Sequence, residues 1–130
     1  MEAKENNKIK SFTDLITWQE GHKLVLMVYK VSNLWPKEER FGLTSQIRRA
    51  VVSITSNIAE GFSRYTWKDK IHFYSIALGS VTETQNQLLI AKDLTYLNKD
   101  DFGKIAEQTI TVNKLINGLI KSLKDSNLNT

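Results

Sequence analysis

The chain has 130 residues, of which 41% are hydrophobic and 25% are charged, with six glycines, one proline and no cysteine. This length provides one domain with a core, and the lack of cysteine excludes disulfide bonds and thiolate metal sites. No apolar run is long enough to span a bilayer and the polar start has no secretion signal, so we expect a cytoplasmic, mostly helical protein.

The first predicted helix begins near Ser11 or Thr13 and ends near Asn33. Its apolar residues recur at spacings of three and four, which is typical of a helix with one buried face. Pro36 follows the predicted end, and proline cannot continue a helix. The polar residues 1–11 are predicted to form a flexible tail.

The second predicted helix covers residues 43–63, and its apolar side chains share one face. The third covers residues 67–94, and Thr66 is predicted to cap its first turn in a capping box. Gly79 lies in the middle of the third helix, where glycine lowers helix stability. It therefore indicates either a bend or the close approach of another helix.

The fourth predicted helix is capped by Asn98 and continues to about residue 125. Residues 126–130 are predicted to be a tail. The connections between the four helices are short, so consecutive helices are expected to run in opposite directions. The sequence therefore predicts an all-α, antiparallel up-down-up-down four-helix bundle over residues 12–125, as a single domain.

The net charge of +4 lies in one stretch of the chain. Six basic and two acidic residues lie between Arg40 and Lys70, and the basic and acidic residues elsewhere cancel. All four arginines lie here, and a guanidinium binds phosphate through two parallel hydrogen bonds. We predict a nucleic-acid-binding surface formed by Arg40, Arg48, Arg49, Arg64, Lys68 and Lys70. The alternative is a solvated helix face whose cations form ion pairs within the protein.

A polar line runs along the far side of the second helix. It contains Asn57 and Glu60, which solubility alone does not require in the middle of a helix. We expect both in a polar network between helices, or else on a functional surface, and Glu60 is also spaced to pair with Arg64. Beside the core face, a strip that includes Val52 and Ala59 predicts either a subunit contact or a broader core.

The sequence shows no pattern typical of a catalytic or metal site. Its two histidines, His22 and His72, have no metal-ligand spacing, and its adjacent acidic pairs lie at helix starts. We therefore expect no enzymatic activity, metal or other cofactor. Near the basic stretch, Tyr65 and Trp67 are the best candidates for exposed rings that stack on RNA bases. The other aromatic rings available near the basic stretch are Phe41, Phe62, Phe73 and Tyr74, and most of the rings in this region are expected to pack in the core or at helix turns.

Three segments carry a specific pattern: FTDLITWQ at 12–19, PKEERFGLTSQIRRA at 36–50 and SITSNIAEGFSR at 53–64. They resemble the small four-helix-bundle proteins encoded by intervening sequences in bacterial 23S ribosomal RNA genes. The third helix fits through IALGS at 76–80 and Glu83. The chain departs from the family pattern at Thr55, where proline is usual, and at Leu78, where arginine or lysine is usual.

That family is similar in fold to the accessory variability protein of diversity-generating retroelements, a pentameric assembly that binds nucleic acid and a reverse transcriptase. The resemblance implies a homo-oligomer, a pentamer by this analogy, with RNA as the expected partner, a reverse transcriptase as a further candidate and no membrane association. We favour a non-enzymatic RNA- or DNA-binding assembly. The alternative is an adaptor that docks a protein without touching nucleic acid, and a nuclease is the third class.

Overall fold

The computed structural model describes residues 8–128, and all regular secondary structure in that range is helical. The long helices are α1 (Ile16–Ser32), α2 (Leu43–Ser63), α3 (Trp67–Asp93) and α4 (Lys99–Leu128). Two short 3-10 turns, Phe12–Asp14 and Lys37–Glu39, precede α1 and α2. The all-α prediction is confirmed for this part of the chain.

The helices form a bundle in which each helix packs against its neighbours in sequence, and α1 also packs against α4. Neighbouring helices are antiparallel. Gly21, early in α1, lies against Ile58, late in α2, whereas Ser32 at the end of α1 contacts Arg48 near the start of α2. The same reversed order relates α2 to α3 and α3 to α4. The four helices therefore alternate in direction, as the sequence predicted.

Aliphatic side chains from all four helices fill the core along the axis of the bundle. The largest of those that are almost fully shielded from solvent are Leu24, Val28, Ile47, Val51, Ile54, Ile58, Val81, Leu88, Ile105, Val112 and Ile116. Within each helix they are spaced by three, four or seven residues, which puts them on one face, as the helical period requires. Within the described residues, no helix is both long enough and apolar enough to cross a membrane.

The N-terminal boundary of α1 differs from its prediction. The side chain of Ser11 caps the separate 3-10 turn in a capping box with Asp14, and Leu15 after that turn is extended. The extended residue separates the turn from α1, which therefore begins at Ile16. Residues 1–7 of the predicted tail lie outside the described residues.

The later boundaries follow their predicted caps. The hydroxyl of Thr66 accepts a hydrogen bond from the backbone N–H of Asp69 at 3.1 Å, and Asn98 Oδ1 accepts one from Asp101 at 2.8 Å. α2 has the predicted bounds, and α3 ends one residue before its predicted end. α4 continues to Leu128, so residues 126–128 are helical where a tail was predicted. Residues 129–130 lie outside the described residues.

The close helix approach predicted at Gly79 occurs at another glycine. A Cβ atom at Gly79 would meet nothing within 4 Å, so close approach, one of the two alternatives predicted there, is wrong. A Cβ atom at Gly61, in the last turn of α2, would lie 2.6 Å from the ring of Tyr74 on α3 and 3.2 Å from the carbonyl oxygen of Lys70. The α2–α3 contact therefore requires glycine at position 61.

Candidate nucleic-acid interface

The six predicted cations occur at the two ends of α2. Arg40, Arg48 and Arg49 lie around its first turns, and the other three follow its last turn. Fifteen residues separate Arg49 from Arg64, which is about 22 Å along a helix axis. The basic stretch is continuous in sequence, but in the fold it forms two cationic groups.

Arg48 is committed to the contact between α1 and α2. Its Nε donates a hydrogen bond to Ser32 Oγ at 2.9 Å, and Nη2 donates to the carbonyl of Tyr29 at 3.4 Å. The guanidinium also lies 4.6 Å from the centroid of the Tyr29 ring. These partners belong to the C-terminal turn of α1, where the helix dipole favours a cation. Arg48 is half-buried and joins the two helices.

The C-terminal end of α2 engages two more cations. Arg64 pairs with Glu60 at 2.6 Å and lies 4.5 Å from the centroid of the Phe73 ring. Lys70 donates a hydrogen bond from Nζ to the carbonyl of Phe62 at 2.7 Å, and partial burial lowers its pKa. These contacts reduce the capacity of both cations to bind an external anion.

The remaining three cations face water. Lys68 is exposed, with its Nζ 5.6 Å from the centroid of the Trp67 ring. Arg40 and Arg49 are exposed too, and neither guanidinium has an ion-pair or hydrogen-bond partner within residues 8–128. A guanidinium without a partner keeps all its N–H donors free for a ligand.

Arg40 and Arg49 line the same surface groove at the α1–α2 junction. The groove has a volume of about 450 Å³. The residues that line it are Tyr29, Arg40, Phe41, Thr44, Ser45, Arg48, Arg49 and Val52. Phe41 is 91% exposed and Tyr29 is 40% exposed. The groove therefore combines three guanidinium groups, two hydroxyl side chains and two aromatic rings.

A second depression adjoins this groove and shares some of its lining. It has a volume of about 220 Å³, and Arg40, Thr44 and Arg48 line both. Trp35 also lines the second depression, although only 6% of the residue is exposed. Its indole Nε1 is buried and has no hydrogen-bond partner within the described part of the chain.

The turn that carries Arg40 and Phe41 is held by Glu39. Oε1 of this carboxylate accepts a hydrogen bond from the backbone N–H of Leu43 at 3.0 Å, and Oε2 accepts one from the hydroxyl of Tyr96 at 2.9 Å. Both bonds lower the pKa of Glu39, and the bond from the Leu43 backbone has the larger effect. The bond to Glu39 in turn raises the pKa of Tyr96. Glu39 thereby caps α2 and ties the turn to the α3–α4 loop.

Asn57 and Glu60 do not share one interhelical network. Asn57 Nδ2 donates to the carbonyl and the hydroxyl of Ser53 at 2.8 and 3.0 Å, and the Ser53 hydroxyl lies 2.8 Å from that of Ser80 on α3. Asn57 therefore reaches α3 through Ser53. Glu60 instead forms the predicted pair with Arg64 along its own helix, because its side chain faces solvent.

The strip beside the core face of α2 divides between the two alternatives. Thr55 and Ala59 are half-buried, and a Cβ atom at Gly21 of α1 would lie 3.1 Å from Thr55 Cγ2. Val52 remains 38% exposed and lines the groove. Thr55 and Ala59, which α1 partly covers, fit the alternative of a broader core. Val52 is more exposed than these two residues, so it is the part of the strip that could still form a subunit contact.

Both histidines lie on the surface. His22 stacks on Trp18 with 4.7 Å between ring centroids, and His72 meets the edge of Phe73 at 5.2 Å. Within residues 8–128, no group of three histidine, aspartate or glutamate side chains is arranged to hold a metal ion.

A family model described as 23S rRNA-intervening sequence protein matches residues 13–118. The chain belongs to this family. The match includes both ends of α2, and thus all six cations and the groove. Among curated proteins, none matches the chain.

The fold of this chain is similar to that of a protein whose crystal structure has been solved. A crystal structure of a protein of unknown function from the S23 ribosomal protein family of Bacteroides thetaiotaomicron is similar to this chain, with a TM-score of 0.76 and 23% sequence identity. The similarity covers 82% of this chain and 99% of the other. At this identity the likeness supports the helical fold and carries no functional assignment.

The sequence interpretation missed Phe41, the most prominent feature of the groove. Phe41 was one of six available rings, most of which were expected to pack, and Tyr65 and Trp67 were preferred as exposed rings. Tyr65 is indeed fully exposed, whereas Trp67 is half-buried. A signal for Phe41 was available, because it lies between Arg40 and Gly42, outside the apolar face of α2.

Proposed function

We propose that this member of the 23S rRNA-intervening sequence family is a non-enzymatic nucleic-acid-binding protein that acts as a homo-oligomer and prefers RNA. This proposal rests on the exposed guanidinium groups of Arg40 and Arg49, which line one groove and have no ion-pair or hydrogen-bond partner among residues 8–128. Guanidinium groups bind phosphate oxygens in pairs of hydrogen bonds, so two of them side by side suit a phosphodiester backbone.

The homo-oligomer is proposed from the resemblance to the accessory variability protein, which implies a pentamer. An apolar groove between α3 and α4 supports it, since Leu89 is 47% exposed and Ile110 is 50% exposed along this groove. One copy of the basic groove offers few phosphate contacts and would bind weakly. Several copies on one assembly bind the same polymer together, which raises the overall affinity through effective concentration.

The proposal is tested by binding of a labelled RNA hairpin with an unpaired loop to the full chain at several salt concentrations. We expect steep salt dependence, because phosphate binding releases counterions. Replacing Arg40 and Arg49 by alanine should weaken binding and reduce the salt slope by about 1 for each phosphate that is no longer bound. The RNA should remain at full length after incubation with magnesium.

The matched control removes two exposed charges elsewhere. Lys114 and Lys124 are exposed on α4, which does not pack against α2. Their replacement by alanine should leave both affinity and salt slope close to those of the unaltered chain. Equal effects of the two double substitutions, or binding that is insensitive to salt, would contradict the proposal. Absence of RNA or DNA binding, together with capture of a reverse transcriptase, would favour the adaptor alternative instead.

A further inference from the structure

We infer that the groove at the α1–α2 junction binds an unpaired stretch of the nucleic acid, with a base stacked on the Phe41 ring and the adjoining phosphates on Arg40 and Arg49. This inference rests on the proposed nucleic-acid binding and specifies the structural form of its ligand. It assigns the aromatic contact to Phe41 rather than to Tyr65, the other fully exposed ring beside a cation.

The exposure of Phe41 is the first observation. With 91% of the residue exposed, the phenyl ring forgoes the stabilisation of about 1.5–3 kcal/mol that burial of a side chain of this kind provides. A single exposed apolar side chain is common on protein surfaces. Phe41 differs because it follows one unpartnered arginine in sequence and lines a groove with a second, so the ring and two free cations lie together.

The second observation is that hydrogen bonds hold the turn that carries Phe41. The backbone N–H of Arg40 donates to the carbonyl of Lys37 at 3.1 Å, and that of Gly42 donates to the carbonyl of Glu39 at 3.0 Å. The Glu39 carboxylate then joins this turn to Leu43 and to the α3–α4 loop. A ring presented on a fixed backbone loses less conformational freedom when a ligand binds than a ring on a mobile loop does.

The opposite wall of the groove is also fixed. The guanidinium of Arg48 lies over the ring of Tyr29 and is held by Ser32 and by the Tyr29 carbonyl. One face of the Tyr29 ring is thus already covered, and this residue forms part of the wall. Of the two aromatic rings in the groove, Phe41 is therefore the more open to a base, with 91% of the residue exposed against 40% of Tyr29.

Fewer free cations surround Tyr65 than surround Phe41, which makes Phe41 the better candidate for stacking on a base. Tyr65 is fully exposed, but the preceding cation, Arg64, is tied to Glu60 and Phe73. Lys70 nearby in sequence donates its hydrogen bond to a carbonyl of α2. A base on Tyr65 would have fewer free cations for its phosphates than a base on Phe41.

Stacking on a protein ring requires a base whose face is free. In a duplex the bases stack on one another and present only their edges in the grooves, whereas unpaired bases stack on aromatic side chains. The Phe41 ring has no such partner on a duplex. The combination of two free guanidinium groups with an open ring therefore favours single-stranded segments, loops and bulges over continuous helices.

The experiment compares a 12-nucleotide single-stranded RNA of mixed sequence with a duplex of the same sequence, using fluorescence anisotropy and the full chain. We expect tighter binding of the single strand. Phe41→Ala should weaken single-strand binding about tenfold or more and change duplex binding little. Phe41→Trp should restore single-strand affinity, because tryptophan also presents a flat aromatic face. Tyr65→Ala is the matched control and should bind like the unaltered chain.

The outcomes separate this inference from the function on which it rests. If Arg49→Ala weakens binding while Phe41→Ala does not, nucleic-acid binding stands and the stacking inference is wrong. If neither RNA binds the unaltered chain at low salt, both are wrong. Light scattering of the Phe41→Ala chain supplies the last readout, since a decrease in assembly mass would show that Phe41 is a subunit contact and would overturn the inference.

Discussion

A single carboxylate, that of Glu39, connects three parts of the molecule. It accepts hydrogen bonds from the first residue of α2 and from Tyr96 in the α3–α4 loop, and it belongs to the turn that carries Phe41. A carboxylate accepts such bonds best when it is ionised. The geometry of the groove therefore depends on the charge state of one side chain.

This dependence predicts how stability changes with pH. The pKa of Glu39 lies below its ordinary value of 4.5 in the folded chain, because the ionised form accepts these bonds. Its contribution to stability is therefore complete above about pH 4.5 and is lost as the pH falls through the lower, folded-state pKa. In thermal unfolding, Glu39→Gln should lower the melting temperature at pH 7, and its difference from the unaltered chain should shrink as the pH falls below 4.5.

The neighbouring residue provides the control for this measurement. Glu38 is exposed, so Glu38→Gln should melt close to the unaltered chain at pH 7. A Glu39→Gln deficit in melting temperature that stays the same size as the pH falls from 7 through the acid range would show that ionisation of the carboxylate does not contribute, and that the substitution acts through packing alone.

The sequence showed where the six cations lie along the chain, but it did not show which of them bind partners within the protein and which face water. Arg48 and Arg49 are adjacent and chemically identical, yet one joins α2 to α1 and the other faces water. The helical period separates their directions by about 100°, so they had to differ. Which of the two would meet α1 depends on the packing of a separate helix, and that information is not present in the local pattern.

The contact between α2 and α3 shows how a missing side chain sets the distance between two helices. Gly61 lies where any Cβ atom would overlap the ring of Tyr74. The ring is buried between the helices, and this burial raises the pKa of its hydroxyl. The last turn of α2 can approach α3 closely only because position 61 carries hydrogen alone.

Alanine substitutions at two glycines should therefore have opposite effects. Gly61→Ala should destabilise the fold by about 1–3 kcal/mol, the usual cost of overpacking a well-filled contact. Gly79→Ala should stabilise it by about 0.5–1 kcal/mol, because alanine is the better helix former and its Cβ atom meets no neighbour. Chemical denaturation of both variants measures the two free energies of unfolding, and a neutral Gly61→Ala would show that the Tyr74 ring moves aside.

Helix bounds followed well from local signals, but helix contacts did not. Caps at Thr66 and Asn98 and the break at Pro36 are local, since each acts on backbone groups within one turn. Glycine is different, because its sequence position shows that a side chain is absent without showing what occupies the space. For this reason Gly79 was a plausible contact, and Gly61 became recognisable only once α3 was placed beside it.

At the scale of the molecule, the groove that holds the free arginines and the apolar α3–α4 groove lie on different pairs of helices. The groove at the α1–α2 junction holds the free arginines, while the α3–α4 groove presents Leu89 and Ile110. A surface of the first kind suits a polyanion, and one of the second kind suits another protein chain. This separation allows the proposed assembly to form without covering the basic groove.

The proposed homo-oligomer predicts a mass change on substitution in the apolar groove. Leu89→Glu with Ile110→Glu should reduce the mass measured by light scattering, because buried charges at a subunit contact are strongly unfavourable. Ile76→Glu is the control, since Ile76 is 40% exposed on α3 and does not line this groove. A chain that is already monomeric at high concentration, or one whose mass is unchanged by the double substitution, would contradict the proposed assembly surface.

The bundle could be predicted from the sequence because helical periods and caps are local patterns. The basic stretch, in contrast, was predicted to form one surface. Arg40 and Lys70 belong to a single segment of the sequence. Yet α2 separates Arg49 from Arg64, the first cation after its last turn, by about 22 Å along the helix axis. Charge counted along the chain does not measure charge density in space. The division into two groups follows only when the stretch is placed on a straight helix.

Trp35 makes this arrangement observable by optical means. Its indole lines the depression that adjoins the basic groove, and Arg40 lines both of these surfaces. Trp35 is almost fully shielded from water. Its ring also packs 6.1 Å from that of Tyr96, the residue that holds the Glu39 turn. Trp35, one of the three tryptophans of the chain, is thus a native fluorophore beside the groove. Its fluorescence can report the binding of a nucleic acid to the unlabelled chain.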